Sequence, residues 1–413
     1  MHRRALLLSV TAAALAGCAN APAEGVAPPL PSPEPSPVPD ASNDAFDVAL
    51  YHAIAAEPGN QFVSPYSVAS AFALVYPGAG GETGAEIAQV FGFDASPLAA
   101  ARQTRARAEA LQGETGGSEF TVANAAWVER TMSLHSAYAR TIRDELAGTI
   151  EPVDFIRDQT AALRTINEWA AQQTRDRITE ILSQPDPARR LVLTNAVYFK
   201  GKWRDQFSAS GTRDGEFHTG ADTHVAAPLM RQLTNARYIE TETFQAADFD
   251  YDDGAFALAV FLPRERMGLA AFERHLTGEG LSGYLSQLAG AERPRLDLTL
   301  PKVEMRAEYS LAPQLQAMGV RAAFTPAADF SAITADEALM ISAVIQKTFL
   351  AIDEEGTEAA AVTAIDMVAT SAPVGPPPPP PIEFKADHPF FVVLHHKPTR
   401  TRLFMGRIAT TES

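Results

Sequence analysis

Residues 352–370 have the sequence Ile-Asp-Glu-Glu-Gly-Thr-Glu-Ala-Ala-Ala-Val-Thr-Ala-Ile-Asp-Met-Val-Ala-Thr, the most informative segment of this chain. After the Glu-Glu-Gly turn, alternate positions from Thr357 to Met367 are uncharged, whereas Glu358 and Asp366 belong to the other set. Such period-two patterning predicts a strand with one buried face. The side chains are mostly Ala and Thr, which would make a poor permanent core strand. We therefore expect a segment that is either a loop or a strand inserted between existing strands.

This segment resembles the reactive-loop hinge of inhibitory serpins. The matching hinge residues are Glu355, Gly356, Thr357, Glu358, Ala359, Ala360 and Ala361. Taken alone, the hinge also fits an ordinary Ala-rich strand or surface helix. Other segments resemble serpin motifs in the same order along the chain: 62–68, 165–169, 194–203, 329–334, 384–394 and 403–408. The resemblance runs from about residue 43 to 410.

The resemblance implies the serpin fold, in which about eight or nine helices pack on three β-sheets and a reactive loop is exposed. The order of predicted elements independently indicates an α+β class, because helices come early, mixed elements follow, and no βαβ rhythm is present. We expect helices over 43–56, 82–91, 95–112, 160–182 and 309–318, with another starting at Ser64-Pro65. We expect strands over 120–128, 191–199, 256–262, 296–300 and 341–352.

The amino terminus predicts export and lipidation. Residues 1–17 have a basic start and an apolar run too short to span a bilayer, as in an export signal. The run ends in Leu-Ala-Gly before Cys18, which resembles a lipobox, and Cys18 is the single cysteine of the chain. We expect lipidation at Cys18; the alternative is a buried or stray free cysteine. Acyl chains would anchor the protein to a membrane.

Residues 18–42 are rich in proline and predict an extended tether, followed by a serpin domain over 43–413. Ala19 after the cysteine favours the outer membrane of a bacterial envelope, with periplasmic and surface-facing orientations both open. The 413 residues are 46% hydrophobic, which is ample for a core, and carry a formal net charge of −16. The acidic balance argues against a nucleic-acid partner. We expect a monomer.

Catalytic and metal-binding patterns are missing from the sequence. It contains no His-Glu-x-x-His, phosphate loop or Gly-x-Ser-x-Gly motif. Adjacent His395 and His396 would point to opposite faces of a strand. Asp250, Asp252 and Asp253 precede a glycine and predict a turn. We expect no enzyme activity, cofactor or metal.

The resemblance implies a suicide-substrate mechanism. A protease cleaves the exposed loop, is acylated, and is carried away as the freed hinge inserts into the main sheet. Family spacing from Gly356 places the cleaved bond between Thr370 and Ser371, with the bond after Met367 as a rival. Bonds leading into Pro373 and Pro376–Pro381 resist serine proteases. The residues just before the cleaved bond, which act as the bait for the protease, are small and uncharged. They favour elastase-like or subtilisin-like serine proteases, and cysteine proteases are further candidate partners.

Two regions control insertion in serpins, and the resemblance assigns five residues to them. Trp203 matches the top of the main sheet; Ser64, Ser67 and Asn195 match a cluster under its centre, where Gln346 replaces a frequent histidine. Plain core packing is the alternative for each.

Competing functions are a non-inhibitory binding protein or chaperone at the envelope and an adhesin using the proline tract. Arg102, Arg105 and Arg107 lie on one helix, where some serpins bind polysaccharide, but a solvated face is the favoured interpretation.

Overall fold

The computed structural model describes residues 43–112, 118–336, 338–357 and 379–412. The described residues contain nine α-helices, most of them in the first half of the chain. Their bounds are α1 Asp44–Ile54, α2 Pro65–Val75, α3 Gly81–Phe91, α4 Pro97–Gln112, α5 Ser136–Arg140, α6 Gln159–Gln173, α7 Leu269–His275, α8 Gly278–Gly290 and α9 Ala312–Met318. No helix within these ranges is both long enough and apolar enough to cross a membrane.

Sixteen strands lie in the same described ranges. Their bounds are β1 Gln61–Val63, β2 Glu119–Glu129, β3 Thr149–Val153, β4 Leu191–Lys202, β5 Arg213–His218, β6 His224–Asn235, β7 Arg237–Glu240, β8 Phe244–Asp250, β9 Phe256–Pro263, β10 Arg295–Pro301, β11 Val303–Ser310, β12 Ile341–Ile352, β13 Gly356–Thr357, β14 Ile382–Lys385, β15 Phe390–His396 and β16 Thr401–Ile408.

These strands form three sheets, so the predicted α+β serpin architecture of about eight or nine helices on three sheets is confirmed. The main sheet has the order β11-β12-β13-β4-β2-β3. The second sheet has the order β1-β16-β15-β9-β8-β7, and the third has the order β14-β10-β6-β5. One large group of buried side chains joins the second and third sheets to one end of the main sheet. The main sheet is therefore packed on protein rather than on solvent over much of its area.

The first helices begin at the side chains that cap them. Asn43 precedes α1, and its Oδ1 accepts a hydrogen bond from the Phe46 N–H at 3.2 Å. Ser64 precedes α2, and its Oγ accepts from the Ser67 N–H at 3.3 Å, with proline at the first helical position. Both caps satisfy N–H groups that a helix start otherwise leaves unpaired. The α2 cap also places Ser64 and Ser67 beneath the main sheet.

Helices cover both faces of the main sheet. Helix α2 packs against β2 and β4 from one side. On the other side, α6 joins β2 in a separate buried group, in which the rings of Trp127 and Trp169 meet edge to face at 5.5 Å. Burying both faces explains why nearly every residue of β4 is buried and why most of the residues from Leu191 to Phe199 are apolar.

Two predicted helix bounds are wrong. The helix expected to continue to residue 182 ends at Gln173, because the Thr174 hydroxyl accepts the Ile178 N–H at 3.0 Å and the next two residues have positive φ. The helix expected from residue 309 begins at Ala312, because Tyr309 pairs with Gln346 in the main sheet. In both cases the apolar spacing fits a helix, but a tertiary contact decides the bound.

Asp250 does not lie in the turn that the sequence predicted for it. Asp252 and Asp253 do lie in a turn, whereas Asp250 ends β8 and is 6% exposed. Cations surround its carboxylate: Lys397 at 2.6 Å, Arg204 at 2.6 Å, Arg237 at 3.3 Å and Arg293. Burial would raise the pKa of Asp250, but hydrogen bonds from Lys397 and Arg293 outweigh it and hold the pKa below its usual value. This carboxylate therefore ties the second sheet to the end of β4.

Candidate functional site

The first residues of the hinge lie inside the main sheet. Strands β12 and β4 pair directly and in parallel, with Ile341 opposite Leu191 at one end and Phe349 opposite Tyr198 at the other. Beyond that point β13 lies between them and runs antiparallel to both, with Thr357 opposite Ile352 on one side and Gly201 on the other. The main sheet is thus closed along most of the β12–β4 seam and opened at one end by the hinge.

Gly356 permits this insertion because it approaches β4 more closely than any side chain would allow. A Cβ atom built on Gly356 would lie 1.9 Å from the carbonyl oxygen of Gly201 and 2.7 Å from the Lys202 Cα. Neither backbone atom can move away without breaking the strand. Only glycine fits this position of the hinge.

Thr357 is fully buried beneath the sheet, at 0% exposure. Its hydroxyl lies 2.6 Å from the Tyr251 hydroxyl, which projects from the turn between β8 and β9. Burial raises the pKa of the Tyr251 phenol, so this group is neutral and able to donate or accept. The position demands a small side chain with one polar group, which threonine supplies.

A tight turn connects β12 to β13. The Asp353 carboxylate accepts the N–H groups of Glu355 at 2.9 Å and Gly356 at 3.2 Å. The Trp203 indole donates to the Asp353 carbonyl at 2.9 Å, and its backbone N–H donates to the Glu355 carbonyl at 2.8 Å. The same indole stacks on Tyr251 with centroids 4.7 Å apart. Trp203 therefore holds the turn from which the hinge departs.

Glu354 fixes the outer side of this turn. One carboxylate oxygen pairs with the Lys302 ammonium at 2.8 Å, and the other accepts from the Thr212 hydroxyl at 2.8 Å. Burial acts to raise the pKa of Glu354, but the hydrogen bonds from Lys302 and Thr212 dominate and lower it. The turn is thereby tied to the third sheet as well as to β4.

A separate buried cluster lies midway along the seam. Gln346 on β12 donates to the Ser64 carbonyl at 3.0 Å and to the Asn195 side chain at 2.8 Å, and accepts from the Ser64 N–H at 3.1 Å. Asn195 on β4 donates in turn to Ser67 and Asn124. Every polar atom of the Gln346 side chain thus has a partner, and the cluster joins β12, β4 and α2 at the middle of the seam.

The structure groups the predicted residues in two places. Ser64, Ser67, Asn195 and Gln346 meet in the cluster. Trp203 contacts the hinge turn at the far end of β4, about 26 Å away at roughly 3.3 Å per residue. Other predicted residues lie outside the described residues: Cys18, Glu358, Ala359, Ala360, Ala361, Thr370 and Ser371.

Sequence reasoning missed several members of the site. An aspartate whose side chain accepts the backbone N–H groups two and three residues later is a common turn signal. Asp353 stands at this spacing from Glu355 and Gly356, so it was recognisable. Tyr251, Asn124 and Lys302 carried no local signal, because only the tertiary fold brings them to the hinge or the cluster. Among the described residues, no group of three or more His, Cys, Asp or Glu is arranged to hold a metal ion.

Comparisons with known proteins agree with this architecture. A family model described as serpin (serine protease inhibitor) matches residues 41–411. An uncharacterised serpin-like protein of Thermococcus kodakarensis is 35% identical over 367 residues, spanning 88% of this chain and 84% of that protein. The leukocyte elastase inhibitor of Bos taurus is 30% identical over 384 residues, spanning 90% of this chain and 98% of that protein.

Solved structures share the fold. Human thyroxine-binding globulin has a TM-score of 0.81 at 24% identity, covering 91% of this chain and 98% of that one. The sheet order and the inserted hinge define a serpin-type protein. The family model that matches the chain is also that of the serpins. The chain belongs to the serpin family. Serpins are mostly inhibitors rather than enzymes, and proteases are accordingly the expected class of partner.

Proposed function

We propose that the protein inhibits serine proteases as a suicide substrate. The protease's serine attacks the Thr370 carbonyl, the bond to Ser371 breaks, and the freed loop inserts as a strand of the main sheet before the ester is hydrolysed. The position of Gly356 and Thr357 between β12 and β4 carries the proposal. A longer inserted strand would grow from this point without any change in register.

The length of the loop supports the proposal. Thr357 to Thr370 is 14 residues, or about 46 Å as a strand at roughly 3.3 Å each. Strands β4 and β12 have 12 residues each, or about 40 Å. An inserted segment would therefore run the full length of its neighbours. The end of the inserted segment, and any protease bound to it, would lie at the opposite end of the main sheet, measured along its strands.

The alternative is a serpin-fold binding protein or chaperone. Thyroxine-binding globulin is, by its name, a binding protein on this fold. Hinges of non-inhibitory serpins usually carry a charged or bulky residue, or a proline, on the inserting face. Thr357 here is small and buried in a position that accepts only a small side chain. That observation favours the inhibitor over the binding protein.

The bait favours proteases with shallow specificity pockets. Val368, Ala369 and Thr370 are small and uncharged. A specificity pocket for Arg or Lys would form no ion pair with these residues. A deep pocket for aromatic side chains would stay partly empty, which loses about 2 kcal/mol of binding free energy from apolar burial. The bovine relative named leukocyte elastase inhibitor supports elastase-like targets. We therefore propose elastase-like or subtilisin-like serine proteases, with cysteine proteases of similar preference as further partners.

Incubation with a protease panel tests inhibition and specificity together. We expect an SDS-stable complex with elastase-like or subtilisin-like enzymes, and a released carboxy-terminal peptide whose mass begins at Ser371. A peptide beginning at Val368 would move the bait upstream to the rival bond. Cleavage by every protease without any SDS-stable complex would contradict inhibition, and trapping of trypsin-like enzymes at comparable rates would contradict the pocket argument.

Thr357→Arg should convert the inhibitor into a substrate. An arginine side chain is much larger than the fully buried threonine whose hydroxyl meets Tyr251, and burying a guanidinium at this position would cost several kcal/mol. Insertion would slow, and the acyl-enzyme would hydrolyse first. The measurement is the stoichiometry of inhibition against a trapped protease, which we expect to rise at least about tenfold, since 1.4 kcal/mol suffices for that ratio.

Thr357→Ser is the matched control, because it keeps the hydroxyl that meets Tyr251 and removes only a methyl group. Its stoichiometry should stay within about twofold of the unmodified chain. Unchanged trapping by Thr357→Arg would show that the buried hinge position does not limit insertion.

We further propose that the domain is lipid-anchored in a bacterial envelope through Cys18, with residues 18–42 as the tether. The lipobox-like end of the export signal on the single cysteine supports this. Mass spectrometry of the mature amino terminus should find an acylated Cys18. An unmodified cysteine, or a chain that starts beyond residue 18, would contradict anchoring without affecting the inhibitor proposal.

A further inference from the structure

A cavity of about 380 Å³ lies between helices α1, α2, α3 and α4 and the start of β16. Aromatic rings line part of it: Phe91 lies 4.8 Å from Phe46 and 5.5 Å from Phe93, between ring centroids. Polar side chains line the rest, among them Gln103 and Thr104. The volume falls within the roughly 300–1,000 Å³ of ordinary ligand sites. The cavity is thus large enough for a small organic molecule.

Arg107 on α4 lines this cavity and differs from the other arginines of its helix. Arg102 pairs with Glu145 at 2.8 Å and Arg105 with Glu109 at 2.7 Å, both on the surface, as a solvated face predicts. Arg107 instead forms no hydrogen bond or ion pair with any residue in the described ranges, and its Nε is buried. Burial lowers the pKa of the Arg107 guanidinium. Its charge is therefore partly desolvated, and Asp47 acts on it only at a distance, without a hydrogen bond or ion pair.

A second arginine, Arg402, lines the same cavity, and both of its terminal nitrogens are already engaged, although its Nε has no hydrogen-bond partner. Arg402 is 2% exposed, and its Nη1 donates to Asp44 at 2.6 Å and to Asp47 at 2.9 Å. Its Nη2 donates to Ser282. Asp47 lines the cavity beside it, and burial, opposed by Arg402, raises the pKa of Asp47 to about 6. Arg107 is the cavity cation left to bind a ligand.

We propose that this cavity binds a small organic carboxylate, with the carboxylate on Arg107 and the apolar body against the aromatic wall. A guanidinium presents a planar pair of N–H donors that matches a carboxylate in two parallel hydrogen bonds. A partly buried, unpaired cation is costly, and an anionic ligand removes that cost. Phe46, Phe91 and Phe93 would cover an apolar or aromatic body of the ligand. None of the residues that line the cavity belongs to the main sheet.

The charges around the cavity predict the direction of a pH effect. The groups that face Asp47 are Asp44 on its own helix, Tyr66 on α2, Arg107 on α4 and Arg402 on β16. At neutral pH the two carboxylates cancel the two guanidiniums. Protonation of Asp47 leaves a net positive charge, whereas an ordinary ligand carboxyl, with a pKa of about 4, stays ionised. Affinity for the anion should therefore increase as pH falls through about 6.

Isothermal titration of the mature chain with 2-naphthoate tests the site, with uncharged 2-naphthamide as the matched probe. We expect 2-naphthoate to bind, and 2-naphthamide to bind at least about tenfold more weakly. Arg107→Gln should lower the affinity for 2-naphthoate at least about tenfold, because it removes the guanidinium that binds the carboxylate. Arg105→Gln, on the exposed face of the same helix, should change affinity by less than about twofold.

A second arm measures affinity at about pH 7.5 and 5.5, where we expect tighter binding at the lower pH. Asp47→Asn should bind equally at both, because it removes the titrating group. Equal affinity for the two probes would show an apolar cavity without an anion site and overturn the proposal. So would unchanged binding by Arg107→Gln, or no binding of 2-naphthoate up to about 10 mM.

Discussion

The direct pairing of β12 with β4 is the constraint on which the rest of the structure depends. The two strands are parallel neighbours over most of their length, yet two hinge residues separate them at one end. Inserting a longer strand would replace one parallel ladder by two antiparallel ladders. Each net hydrogen bond contributes about 0.5–1.5 kcal/mol, so the exchange favours insertion once it has begun. In the proposed mechanism, cleavage supplies the free end that insertion requires.

Two sets of contacts oppose the parting of this seam. At one end, Trp203 holds the turn that begins the hinge, and Glu354 ties that turn to Lys302. In the middle, Gln346 bonds to α2 through Ser64 and to β4 through Asn195. Moving β12 away from β4 breaks the Asn195 bond while Ser64 still holds the strand. Parting of the seam would therefore break these polar contacts as well as the backbone hydrogen bonds of the β12–β4 ladder.

Much of the fold was predictable because its signals are local. Capping residues at Asn43 and Ser64 and the apolar run of β4 predicted their elements correctly. The end of α6 was not predictable, because it depends on how the Thr174 hydroxyl bonds to the following turn.

The placement of the candidate site residues was predictable where it follows a motif and unpredictable where it follows from packing, and their roles in insertion stay a prediction. The hinge, Trp203 and the cluster residues matched family positions in order. Tyr251 meets Thr357 only because β8 and β9 bring its turn under the main sheet. Asp250 likewise has the sequence of a turn residue, but four distant cations surround it in the fold.

Thermal unfolding before and after loop cleavage would show whether the main sheet accepts the loop. The chain is cut in the reactive loop by a protease that is not trapped, and both forms are heated while circular dichroism is followed. If the freed segment joins β12 and β4, the cleaved form should unfold at a clearly higher temperature, because it gains a full strand. An unchanged or lower transition would contradict insertion of the loop at the β12–β4 seam.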